Sequence, residues 1–190
     1  MKEIVTEDKN FININFTEIG FPKGEYDNCK FTTCDFSGSD LSNVVFLECV
    51  FENCNFSNAK IKNTALKDVK FKNCKLLGLN FCDCDPFLLS LNFDTCFLSL
   101  SSFFKLTLKN TEFKDCNLQE VDYTEANLTA AKFDNCDLTR AIFVNTILEK
   151  ADFVNSVNYS FDPEINKVKK AKFSQFGLGG LMDKYDIIIK

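Results

Sequence analysis

The 190 residues suit one domain, and a hydrophobic fraction of 45% is enough to bury a substantial core. A net charge of −5, with Arg140 the only arginine, argues against the basic face that direct nucleic-acid binding uses. The absence of histidine removes the commonest general base and the commonest metal ligand.

Residues 1–10 read as a lead-in or capping strand. Met1-Lys2-Glu3-Ile4 runs into charge rather than an apolar core, so no secretory leader is expected. From Phe11 every fifth residue is large and apolar: Phe16, Phe21, Tyr26, Phe31, Phe36, Leu41, Phe46, Phe51, Phe56, Ile61, Leu66, Phe71, Leu76 and Phe81. Two places before each stands a mostly small residue. A period of five is neither the 2 of a strand nor the 3.6 of a helix, so it marks an internal repeat. Residues 11–30 keep the beat imperfectly: Ile14 and Ile19 overfill the small slot, and Pro22 and Gly24 suggest an irregularity. Departures of this kind are expected where a first coil closes an open end.

The stretch 82–92 interrupts the beat, which resumes two residues out of phase at Phe93 and runs through Phe113 and Phe133 to Phe153. This insertion displaces one face of a coil, and Pro86, Phe87, Leu88 and Leu89 make it the candidate functional loop. Nearby, Leu77, Phe97, Leu100 and Phe104 stand at outward positions. The insertion's own apolar residues are expected to fold over them; the alternative is an exposed patch for a partner. No stretch is long and apolar enough to span a bilayer.

A second period overlies the first. Every fourth large residue gives a column of phenylalanine only: Phe11, Phe31, Phe51, Phe71, Phe93, Phe113, Phe133 and Phe153. The small slot of the next column gives Cys34, Cys54, Cys74, Cys96, Cys116 and Cys136. Surroundings therefore repeat every four pentads, as in a coil with four short faces, each turn stacked on the last. Both marked positions must point inward, where large and small groups fill a narrow interior. All of the ten cysteines but Cys82 then read as small core residues, and all ten thiols are expected to be free. Cys82 and Cys84 flank Asp83, but no second pair completes a tetrahedral zinc site. Reduced thiols suggest a cytoplasmic home.

After Phe153 the beat fades, so residues 11–158 are taken as the solenoid and 159–190 as a terminal segment. Asp162-Pro163-Glu164 reads as a turn or helix start. Lys167, Lys169, Lys170 and Lys172 form a solvated strip. Leu178, Leu181, Met182 and Tyr185 recur as one stripe of a short helix, and Ile187, Ile188 and Ile189 as a terminal strand. A single short helix covers little, and a self-complementary patch meets itself across a two-fold axis. A homodimer through these seven residues is therefore expected.

Runs such as Cys34-Asp35-Phe36, Ala126-Asn127-Leu128, Cys136-Asp137-Leu138 and Ala151-Asp152-Phe153 resemble those of the pentapeptide-repeat family, over roughly residues 11–158. That resemblance implies an all-β fold, a right-handed quadrilateral β-helix. The tail and the mid-chain phase break are similar to the quinolone-resistance (Qnr) and microcin-immunity (McbG) branch. The branch implies a two-fold dimer that binds DNA gyrase or topoisomerase IV as an acidic mimic of DNA and protects it from quinolones or toxins. The densest acidic run for that role is Glu112, Asp115, Glu120, Asp122, Glu125, Asp134 and Asp137. The residues alone leave a second function open, an interaction scaffold for another partner. No nucleophile–base pair, phosphate loop or cofactor motif is visible, so neither enzyme nor cofactor is expected.

Overall fold

The computed structural model describes residues 4–188. Among the described residues eleven short strands form: β1 (Val5–Glu7), β2 (Asn10–Ile12), β3 (Glu25–Asp27), β4 (Lys30–Thr32), β5 (Val45–Leu47), β6 (Val50–Glu52), β7 (Ala65–Lys67), β8 (Val69–Lys72), β9 (Leu91–Asp94), β10 (Glu112–Lys114) and β11 (Lys132–Asp134). All pair in parallel, in the orders β1-β3-β5-β7 and β2-β4-β6-β8-β9-β10-β11. Phe11 stands opposite Phe31, Phe31 opposite Phe51, and Phe51 opposite Phe71. Across the insertion Phe71 meets Phe93, and the original step then returns with Phe113 and Phe133. Isolated bridges such as Asn117↔Asp137 and Asp122↔Ile142 build the remaining two faces. The chain is a four-sided parallel β-solenoid.

Most pentads are a short extended segment and a corner; Phe16–Ile19 makes a single α-helical turn and Phe81–Asp83 a 3₁₀ turn instead. Asp8, Asn28, Asn53, Asn73, Asp115 and Asn135 are among many corner residues with φ near +55°. Asparagine and aspartate tolerate that left-handed conformation better than most side chains do. The polar residue just before the large one stabilises the turn locally. Asp35 Oδ1 accepts the Ser37 N–H at 2.8 Å, and Asp122 Oδ1 accepts the Thr124 N–H at 2.8 Å.

Inside, the phenylalanine column is a stack of rings. Phe113 lies 5.1 Å from Phe93 and 5.0 Å from Phe133, nearly parallel, and edge-on to Phe103 and Tyr123 at 6.0 Å. These offset and edge-to-face arrangements are the favoured ones for aromatic pairs. From Phe31 to Phe153 the column is buried; Phe11, in the first coil, is half-covered.

Nine of the cysteines are buried and Cys82 is half-buried, all with free thiols. The column does more than fill space. Each thiol donates to the carbonyl of a large residue one coil back: Cys54 to Phe31 at 3.4 Å, Cys74 to Phe51 at 3.4 Å, and Cys136 to Phe113 at 3.3 Å. At three slots that hold a hydroxyl the same bond is made, by Thr64, Thr146 and Ser156, whereas the buried hydroxyls of Ser39 and Ser101 have no partner. Burial pushes the Cys49 thiol up to about 12, and the neighbouring Cys54 thiol together with burial does the same to Cys74. Thiolate, the reactive form, is thus suppressed at neutral pH. Titration with a thiol reagent is expected to find Cys82 alone in the native chain and all ten after denaturation without reductant; a denatured count of eight or fewer would mean that a disulfide forms.

Three details differ from the sequence reading. First, the insertion does not cover the outward apolar residues. It bulges from the face that carries Tyr26, Phe46 and Leu66, with Asp85 bridged to Ala65 and Ser90 bonded to Asp68. Leu77, Phe97 and Leu100 lie on the opposite face and its far corner and stay exposed, while Phe104 is half-buried. Second, the coil continues past residue 158. Bridges join Ile147 to Lys167 and Asp152 to Lys172, and Phe173 stacks on Phe153 at 5.4 Å. The beat, lost at Asn158 and Pro163, has returned at Val168 and Phe173. Third, the terminal helix consists of 3₁₀ turns, Gln175–Leu181 and Asp183–Tyr185, rather than α-helix. Gly177, Gly179 and Gly180 weaken α-helical preference. They also allow close approach, since a Cβ on Gly180 would collide with the Tyr159 carbonyl. Asp186, at φ 49°, ends the turn, and Ile187 and Ile188 join no ladder. Ile189 lies outside the described residues.

Candidate functional site

Among the described residues no group of three or more His, Cys, Asp or Glu could hold a metal ion. No helix among the described residues is long and apolar enough to cross a membrane. On the surface, the coil decides which residues share a face.

The acidic run from Glu112 to Asp137 is not one patch. Residues five apart in sequence stand on successive faces, so these seven are distributed around three sides and their corners. Most are neutralised by bases. Glu112 meets Lys132 at 3.1 Å, and the same lysine meets Asp134 at 2.9 Å. Glu120 pairs with Arg140, Glu125 with Lys105 and Asp115 with Lys114. Asp122 caps its own turn. Burial opposes the Asp137 carboxylate, but hydrogen bonds from Gln119, Thr139 and Asn158 outweigh it and hold the pKa at about 2. On the phenylalanine face the outward column Glu52, Lys72, Asp94, Lys114, Asp134 alternates in sign, and the fixed negative charge of a nucleic-acid backbone does not.

A coherent stripe lies elsewhere, on the face of β1, β3, β5 and β7. Glu7, Asp8, Glu25, Asp27, Glu48, Asp68 and Asp85 all stand there, with Lys67 the one base on this half of the face among the described residues. None is ion-paired among the described residues. Below the insertion the same face turns basic, with Lys109, Lys150, Lys167, Lys169 and Lys170 against Glu149. Between the two halves project Phe87 and Leu88, 65% and 64% exposed, while Leu89 tucks half inward and the exposed Pro86 precedes them. Reading by adjacency misses this stripe; reading every twentieth residue from Asp8 to Asn28, Glu48 and Asp68 finds it.

The C-terminal stripe is divided. Leu181 is buried in the core cluster and Met182 packs on it, closing the last coil with Tyr159, Phe161 and Phe173. Leu178, Tyr185, Ile187 and Ile188 remain exposed, beside Phe176. Lys184 clamps this segment down, reaching Asp162 and Glu164 at 2.7 Å each.

A model described as a pentapeptide repeat region matches residues 24–86, and one described as pentapeptide repeats in eight copies matches 124–157. The chain belongs to the pentapeptide-repeat family. The family beat seen in the sequence is thus the same ladder that stacks the coils. No curated protein sequence matches the chain. Among solved structures it is similar to full-length QnrB1, a plasmid-mediated fluoroquinolone resistance protein, at 17% identity over 96% of this chain and 100% of that one, with a TM-score of 0.42. It is also similar to HetL, a pentapeptide-repeat protein involved in heterocyst differentiation regulation in the cyanobacterium Nostoc, at 13% identity over 90% and 87% of the two chains, TM-score 0.49. A third is Rfr23, from the cyanobacterium Cyanothece, at 14% identity over 90% and 84%, TM-score 0.27. Family membership rests on the repeats and on the ladder, not on these likenesses.

Proposed function

We propose that this pentapeptide-repeat protein is a non-enzymatic rod that binds DNA gyrase or topoisomerase IV on the surface those enzymes offer to DNA. One observation supports the reading: the unpaired acidic stripe on the first half of the β1-β3-β5-β7 face. Coils stack about 4.8 Å apart, so seven carboxylates from Glu7 to Asp85 present one charge per roughly 3 Å of rod. One strand of B-DNA presents one per about 3.4 Å. The mimicry is of one strand and one face, because the face of β2 and β4 pairs its charges off.

The test is a gyrase supercoiling assay with ciprofloxacin, with and without the protein. Supercoiling is expected to persist at drug concentrations that stop the enzyme alone, and a Glu25→Lys/Asp27→Lys chain is expected to lose that effect. If the native chain leaves supercoiling unchanged with and without drug at micromolar excess, the topoisomerase is not its partner and the scaffold function replaces this one.

A further inference from the structure

The β1-β3-β5-β7 face has a second property. Its rungs descend through Val5, Glu25, Val45 and Ala65 to Asp85, then continue through Thr107, Asn127 and Ile147 to Lys167. The insertion is the middle rung, with four rungs on either side. The outermost rung on one side carries Glu7 and Asp8, and the outermost on the other carries Lys167, Lys169 and Lys170. The next pair sets Glu25 and Asp27 against Lys150, with Glu149 beside it. Inside these stand Lys67 with Asp68 on one side and Lys109 on the other, and the exposed Phe87 and Leu88 occupy the centre.

We propose that this face docks a second copy of the chain, antiparallel, about a two-fold axis through the insertion. A two-fold contact brings a surface against itself in reverse. Reversal lays the acidic half of each rod on the basic half of the other, at both ends together. Phe87 and Leu88 meet their counterparts at the axis, where burying them removes apolar surface from water. They project from the sheet, and sheets packed face to face stand about 10 Å apart. That gap leaves room for lysine and glutamate side chains to meet across it. Charge complementarity of this kind sets orientation and rejects the parallel arrangement, which would oppose like charges. This contact lies on the side of the rod and is distinct from the dimer expected at the C-terminal tip, where Leu181 and Met182 serve their own chain while Phe176, Leu178, Tyr185, Ile187 and Ile188 stay exposed. The inference does not depend on topoisomerase binding; if both hold, the dimer hides the acidic stripe, and the two partners exclude one another.

Light scattering on the full chain, at tens of micromolar, tests it. At low salt a dimer is expected, weakening as salt rises and screens the charges. Two charge reversals on exposed residues, Glu7→Lys/Asp8→Lys and Lys169→Glu/Lys170→Glu, are each expected to leave folded monomers that unfold cooperatively, since lysine and glutamate already occupy left-handed corners at Lys150 and Glu120. Mixed in equal amounts, the two variants should form a heterodimer, because opposite charges then meet again at both outermost rungs. Phe87→Ser/Leu88→Ser should also weaken the native dimer at least tenfold. A monomeric native chain at low salt overturns the proposal. So does a dimer that survives all three variants but is lost in Phe176→Ser/Leu178→Ser, an outcome that assigns assembly to the tip.

Discussion

Phe113→Ala is expected to destabilise the chain by about 3–5 kcal/mol, the usual cost of emptying a large aromatic from a close-packed core. The ring is fully buried and is held between two parallel neighbours at 5.1 and 5.0 Å and two edge-on ones at 6.0 Å. The backbone around it cannot collapse into the void, because Glu112 and Lys114 are tied into ladders above and below. Urea unfolding measures the loss, with Phe97→Ala as the control. Phe97 is 50% exposed on the opposite surface of the coil wall and should cost well under 1 kcal/mol, as surface changes usually do. Equal losses from the two would mean that the column is not the packed interior.

Asn166→Leu is expected to rank with it, at about 3 kcal/mol or more, through a different term. Asn166 stands in the inward slot that cysteine, threonine or alanine fills elsewhere, and it is buried. Its Nδ2 donates to the Phe143 carbonyl at 2.9 Å and the Asp162 carbonyl at 2.8 Å, and its Oδ1 accepts the Thr146 N–H at 2.8 Å. Leucine leaves three backbone groups without partners, each costing about 1–3 kcal/mol when buried. Asn166→Thr isolates the cause. Thr146 and Ser156 make the equivalent bonds one coil back to Tyr123 and Phe133, so threonine retains most of the network. It should cost only about 1 kcal/mol, the worth of the lost bond to Asp162. If leucine and threonine cost the same, packing rather than hydrogen bonding holds the last coil.

Asn166 also shows why the end of the solenoid was hard to read. A polar residue in an apolar slot looks like the end of the beat, yet its amide performs the task that Cys54 or Thr146 performs with a thiol or hydroxyl. Val168 and Phe173 were on the beat all along, but Tyr159, Phe161 and Pro163 stand between them and Phe153 and hide it. The terminal stripe was legible as a periodicity. Its 3₁₀ form was not, because that depends on how closely Gly177 and Gly180 must approach Tyr159.

What the amino-acid order determined by itself is the coil. A five-residue beat with large and small residues inward leaves one way to bury both, and its four-pentad overtone counts the faces. Register followed as well, since phenylalanine stacks on phenylalanine and cysteine on cysteine with a single shift at the insertion. Only the tertiary structure decided which charges are neighbours. Glu112, Glu120 and Asp137 are close in sequence and part company around the coil, while Asp8, Asn28, Glu48 and Asp68 are far apart in sequence and line one edge. The physical reason is that a solenoid turns its chain through a corner every five residues. Lateral proximity is therefore set by the turn length, and surface electrostatics depends on the stack rather than on the strand.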